Sequence, residues 1–157
     1  MVTRQGLSIR FPEDEVRAVG RTSMGVKGIS LLKDDKVIGM EPIKSDKDYI
    51  LAITENGFGK RTEVEEYRRQ GRSGKGILTY KTTSKTGHIV GIKIVNDDDD
   101  VMLITDTGVI IRLNVRDISI LGRNTQGVTL MRTSDGGKVA NIAKIPNEDI
   151  DTNETKK

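Results

Sequence analysis

One pattern returns at an interval of 51 residues along this 157-residue chain, and it limits the possible folds more than any other feature. Thr3, Thr54 and Thr105 stand in register, as do Gly6, Gly57 and Gly108, then Arg10, Arg61 and Arg112. Further on come Gly20, Gly71 and Gly122, Arg21, Arg72 and Arg123, and Gly25, Gly76 and Gly127. A period near 50 with short strands inside it marks blade-type repeats. The clearest copy, YILAITENGFGKR at residues 49–61, has an apolar run, an Asn56-Gly57 pair suited to a tight hairpin, and a return strand carrying Lys60 and Arg61. Residues 101–112, VMLITDTGVIIR, copy it with Gly108 in the turn. The first copy, MVTRQGLSIR, lacks room for a full preceding strand, so the chain is expected to start inside a repeat of a longer protein.

Each hairpin leads into a polar connector with one apolar anchor, Val16, Tyr67 or Ile118. A short strand follows (GISL, ILTYK or VTLMR), then a last one (VIGMEPI, HIVGIKIV or KVANIAKI). The expectation is an all-β fold of three propeller-like blades, with about four antiparallel strands per repeat, over residues 1–146. Residues 13–16 and 63–67 could each form one helical turn at most. Residues 147–157 read as an acidic flexible tail, with Glu148, Asp149, Asp151 and Glu154 against two lysines. The body is then modestly basic, which suits a polyanionic partner. The tail is expected to fold back on the basic body and compete with that partner.

Composition narrows the chemistry. Aromatic residues are 3% of the chain, too few for base-stacking platforms. The absence of cysteine excludes disulfides and thiolate metal sites and fits a reducing cytosol. His88 is the only histidine, which argues against a histidine metal cluster or a catalytic triad. No apolar run approaches the roughly 20 residues of a membrane span. The four aspartates at 97–100 read as a solvated turn, and no set of residues makes a convincing active site.

The connectors hold the candidate binding residues. Gln70, Gly71, Arg72, Ser73, Gly74, Lys75 and Gly76 form a loop of small residues with two cations, and Arg68 and Arg69 lie just upstream. Glycines let backbone N–H groups approach a ligand, and with Arg and Lys they can cradle phosphate. The equivalent loops carry Arg21 with Lys27, and Arg123. The spacing does not match a nucleotide-binding P-loop. Arg10, Lys60 with Arg61, and Arg112 recur at one blade position and would line a curved rim of cations suited to the backbone of a bent duplex. The alternative is that the glycines only make turns and each arginine pairs within its own blade.

Three segments, VRAVGRTSMGVKGI, NGFGKRTEVEEYRRQGRSGKGI and ISILGRNTQGV, resemble the C-terminal domain of bacterial DNA gyrase A. The resemblance covers residues 1–145. It implies the last three blades of a six-bladed β-pinwheel that wraps duplex DNA around a basic rim. It also implies a non-catalytic part of a type II topoisomerase, working with the rest of gyrase A and with gyrase B in the bacterial cytoplasm. On that reading this chain needs no cofactor, whereas the holoenzyme would use ATP and Mg. The family's box, Gln-Arg-Arg-Gly-Gly-Lys-Gly, is matched by Gln70, Arg72, Gly74, Lys75 and Gly76, while Gly71 and Ser73 depart. The related domain of topoisomerase IV and a blade-repeat scaffold for other proteins are the alternatives. Open blade edges suggest a homodimer.

Overall fold

The computed structural model describes residues 1–134 and 136–145. The expected tail at 147–157 lies outside the described residues. Among the described residues eleven strands make three antiparallel sheets, one blade each. The first blade contains β1 (Val2–Thr3), β2 (Leu7–Ser8) and β3 (Val37–Gly39). The second is built on β4 (Tyr49–Thr54), β5 (Phe58–Glu63) and β7 (Ile89–Val95), and the third on β8 (Asp100–Thr105), β9 (Ile110–Asn114) and β11 (Val139–Ile145). Inside each blade the hairpin is the one the sequence predicts: Ile53 pairs with Gly59 around the Asn56-Gly57 turn, and Ile104 pairs with Ile110 around Gly108.

The fourth strand corrects the sequence reading. The short strand after each connector leaves its own repeat and joins the preceding blade. Strand β6 (Ile77–Leu78) pairs with β2, and β10 (Val128–Thr129) pairs with β5. The first and second sheets are therefore completed by the repeat that follows, and the third has three strands among the described residues. GISL, at residues 28–31, forms no strand. Single 3₁₀ turns at Glu13–Glu15, Val64–Glu66 and Val115–Asp117 open the connectors.

The core lies in the seams between blades. Strand β4 is buried on both faces because it sits in the middle blade. Side chains alternate along a strand, so Leu51 and Ile53 face the third blade, packing with Val101, Leu103, Val115, Ile118, Met131 and Ile142. Ala52 faces the first blade with Val2, Tyr80, Ile89 and Ile92. This two-sided burial is why YILAIT reads as a continuous apolar run. The anchors Tyr67 and Ile118 are buried in seams as expected, whereas Val16 is exposed, because no blade among the described residues precedes its connector.

Candidate nucleic-acid interface

The connectors lie side by side. Ser73 donates its N–H to Gly28 O at 2.7 Å, and Ser30 donates its N–H to Gly74 O at 2.8 Å, which ties the first connector to the second. Lys81 N–H to Thr125 O at 3.0 Å ties the second to the third. The repeated glycine-arginine pair makes the same link twice. Arg72 donates its backbone N–H to the Glu15 carboxylate at 2.7 Å, its Nε to Glu15 O at 3.3 Å and an Nη to Lys27 O. One repeat later, Arg123 donates its N–H to the Glu66 carboxylate at 3.2 Å and Nη1 to Leu78 O at 2.8 Å. These two arginines join each connector to the one before it.

The expected rim of hairpin cations is corrected. Arg10 donates Nη1 to Val64 O and Tyr67 O, both at 3.1 Å, and pairs with Asp46. Arg61, with 6% of its side chain exposed, donates Nε to Ile118 O at 2.6 Å and Nη2 to Arg116 O at 3.0 Å. It also pairs with Asp97 and lies over the Tyr49 ring at 4.7 Å. Lys60 is buried and donates Nζ to Gly122 O and Arg123 O at 2.7 Å each and to Thr125 Oγ1 at 2.9 Å. All three point into a seam, because the hairpin's return strand is covered by the next connector, whose carbonyls need donors. Burial pushes the Lys60 ammonium down to about 8; the Glu66 carboxylate opposes this shift and Arg123 adds to it. Arg112 is 63% exposed and pairs with Asp100, since no connector among the described residues covers its strand.

The four aspartates at 97–100 are not a free solvated turn. Asp97 pairs with Arg61, Asp98 with Arg116, Asp99 with Lys144 and Asp100 with Arg112. Asp99 is buried and also accepts the Asn96 N–H at 2.9 Å. Among the described residues no cluster of His, Cys, Asp and Glu could hold a metal ion. No described helix is long and apolar enough to cross a membrane.

Of the candidates the sequence offers, Arg21, Lys27, Arg68, Arg69 and Lys75 remain exposed and outside any ion pair among the described residues, all on the first two connectors. Arg17 joins them. It is absent from the sequence-based candidates, although it stands one repeat before Arg68. None of the six is in an ion pair among the described residues. Two linked connectors thus present a band of cations interrupted by glycines, and such a band can bind polyanion backbone without reading bases.

Within the box-like loop, Gly71, Ser73, Gly74 and Lys75 are exposed, while Gln70, Arg72 and Gly76 are half-buried. Ser73 takes φ 70°, a left-handed conformation, at a position where the resembled pattern has glycine. An L-residue there costs about 1–2 kcal/mol, of which the greater freedom of glycine in the unfolded chain returns part. Ser73→Gly is expected to stabilise the fold by about 0.5–1 kcal/mol. Denaturant unfolding checks this, and a loss of stability would show that the serine side chain outweighs its strain.

The family model for the DNA gyrase C-terminal domain, a beta-propeller, matches residues 1–44, 48–96 and 99–146. DNA gyrase A of Staphylococcus epidermidis (strain ATCC 12228 / FDA PCI 1200) is 51% identical over 142 residues, which are 90% of this chain and 16% of that protein. Its counterpart in Staphylococcus aureus (strain MRSA252) is 46% identical over 147 residues, covering 93% of this chain and 17% of the relative. The chain therefore spans less than a fifth of these relatives. A solved DNA gyrase A C-terminal domain superposes with TM-score 0.87 at 25% identity, covering 92% of this chain and 49% of the other. The C-terminal domain of DNA topoisomerase IV gives TM-score 0.86 at 27% identity, covering 92% and 45%.

Proposed function

The chain belongs to the DNA gyrase C-terminal domain family, and on that premise we propose that it binds and bends duplex DNA through phosphate contacts, as part of gyrase A. The observation that carries this reading is the band Arg17, Arg21, Lys27, Arg68, Arg69 and Lys75 on adjacent connectors. Each cation that meets a phosphate releases condensed counterions, so binding is tolerant of sequence and steeply dependent on salt. Smooth bending of a 20–30 bp site by 40–90° costs on the order of 1–6 kcal/mol, which several such contacts can offset. The band's glycines matter because backbone without side chains lets the phosphates approach the chain closely. Strand breakage and ATP hydrolysis are assigned to the rest of gyrase A and to gyrase B, with this chain supplying the bent duplex that supports negative supercoiling.

The test is a salt series with a fluorescent duplex of about 40 bp, comparing the parent chain with a triple variant, Arg68→Ala, Arg69→Ala and Lys75→Ala. All three side chains are exposed, so the fold survives. The slope of log K against log salt is expected to flatten by about 2–3, at roughly 0.9 per lost phosphate contact, and by the same amount on unrelated sequences. An unchanged slope would remove the band from the interface. The likeness to the topoisomerase IV domain keeps a second reading in view. A supercoiling assay of the intact enzyme separates the two, because gyrase introduces negative supercoils whereas topoisomerase IV relaxes and decatenates.

A further inference from the structure

Each blade has two unlike ends. The hairpin turns at Gly6, Gly57 and Gly108 lie at one of them. At the other, Tyr49 at the start of β4 pairs with Glu63 at the end of β5, and Asp100 at the start of β8 pairs with Asn114 at the end of β9. That second end holds residues 13–15, 46–48, 63–66 and 97–100, and carboxylates outnumber cations in every one of these segments. The turn end holds the stretch that follows each connector, with Ser30, Lys81 and Arg132 in register. One bond fixes this stretch twice: Ser30 donates its N–H to Gly74 O at 2.8 Å, and Lys81 donates its N–H to Thr125 O at 3.0 Å.

The cations outside ion pairs change ends along the chain. At the start of the connectors they are Arg17, then Arg68 and Arg69, but Ser119 and Ile120 stand at the equivalent places in the third. In the turn-end stretches the order is reversed. The first has Ser30, and its Lys33 and Lys36 stand beside Asp34 and Asp35. The second, at 81–88, has Lys81 and Lys85 and no carboxylate, and the third begins with Arg132. Lys81, Lys85 and Arg132 are exposed and in no ion pair among the described residues. Lys81 stays exposed although the third connector lies against its backbone, so its exposure belongs to the interior of the repeat array. That connector offers no cation of its own, because Lys60 is buried beneath it and Arg123 is turned to Leu78 O. Tyr80 Oη donates to Gln126 O at 2.6 Å and Thr83 Oγ1 to Gln126 Oε1 at 3.3 Å, which fixes the stretch with Lys81 and Lys85 against it.

Resting on the duplex reading above, we propose that the DNA crosses the blades obliquely. It lies on the connectors of the first two blades and passes onto the turn end at the third connector, where Lys81, Lys85 and Arg132 meet its phosphates. The carboxylate end sets the opposite boundary, because it repels phosphate that comes within a screening length of about 10 Å. Lys85 is placed for this contact by the Phe58 ring, 5.4 Å from its ammonium, which supports the stem while the charge stays in water. A track that shifts along the blades as it bends gives the duplex a superhelical pitch, so a longer wrap does not run into itself.

Pairs of exposed lysines allow a test at equal change of net charge. Lys81→Gln with Lys85→Gln is set beside Lys44→Gln with Lys47→Gln, at the carboxylate end, and Lys33→Gln with Lys36→Gln, in the first turn-end stretch. All six side chains are exposed, so the fold survives each pair. Binding of the same fluorescent duplex is followed across a salt series. The Lys81 and Lys85 pair is expected to flatten the slope of log K against log salt by about 1–2, and each of the others by less than about 0.5. Equal flattening by all three pairs would mean that only net charge counts and would overturn the track. Flattening by the Lys33 and Lys36 pair as large as by Lys81 and Lys85 would replace the oblique crossing with a band along the whole turn end. No flattening by Lys81 and Lys85 would remove the turn end from the interface. The duplex reading stands in that case if the Arg68, Arg69 and Lys75 variant still flattens the slope, and both fall if it does not.

Discussion

Arg61→Ala is expected to cost about 3–5 kcal/mol of folding stability, the range for removing one partner from a buried charged network. The guanidinium donates to Ile118 O and Arg116 O, pairs with Asp97 and stacks over Tyr49, all in the seam between the second and third blades. Truncation leaves two connector carbonyls without donors and opens a gap beside Ile118, which belongs to the larger core cluster. The equivalent changes should differ in size although the repeat makes the three residues look alike. Arg10→Ala loses two carbonyl bonds and an ion pair at a less enclosed place, for about 2–3 kcal/mol. Arg112→Ala, 63% exposed, should stay within about 0.5 kcal/mol. Denaturant unfolding of the three variants checks the series. Equal losses at Arg61 and Arg112 would sink the assignment of Arg61 as a fastener between blades.

That series also shows what could be read from the sequence. The repeat gave the blades, the hairpins and the connector anchors, because turn glycines and alternating apolar runs are local signals. It did not give the strand exchange. An apolar pair such as Ile77 and Leu78 looks the same whether it pairs within its own repeat or with Leu7 and Ser8, about 69 residues earlier. The direction in which each cation points was legible in part. Lys60 stands in register with Ile9 and Ile111, so its position is an inward one, and that signal lay in the repeat itself. Arg72 and Arg123 follow Glu15 and Glu66, which also recur one repeat apart, and the pairing of connectors was latent in that spacing. Arg61 offered no such cue, because what buries it is a neighbouring connector rather than its own strand. The aspartates at 97–100 were legible as a charged turn, but their four partners come from Arg61, Arg112, Arg116 and Lys144, spread over three strands and a connector.

Alkaline titration should expose Lys60 directly. Its folded-state pKa is about 8 against an ordinary 10.5, with burial the leading cause. Between those values the unfolded chain holds a proton that the folded chain has released, so raising the pH favours the folded state, by up to about 1.4 kcal/mol per pH unit. Tyr67 and Tyr80 act in the opposite sense. Burial raises both above their ordinary 10.0, so from about pH 10 upward the unfolded chain ionises its tyrosines first and stability falls. Burial also lowers the Met1 amine from its ordinary 8.0, which adds a smaller rise approaching pH 8, so the parent is expected to gain stability up to a maximum between pH 9 and 10, most steeply above pH 8 where Lys60 acts, and to lose it beyond. Lys60→Met should remove the rise above pH 8 and keep the falling limb. The same substitution takes away the donor to Gly122 O and Arg123 O, so the 122–127 connector should exchange its amide hydrogens faster at every pH. Urea unfolding from pH 7 to 11 at constant ionic strength, on both chains, makes the comparison. A parent curve flat between pH 8 and 10, or a rise above pH 8.5 retained in full in Lys60→Met, would mean that the carbonyl cage holds the ammonium charged and that burial does not set its titration.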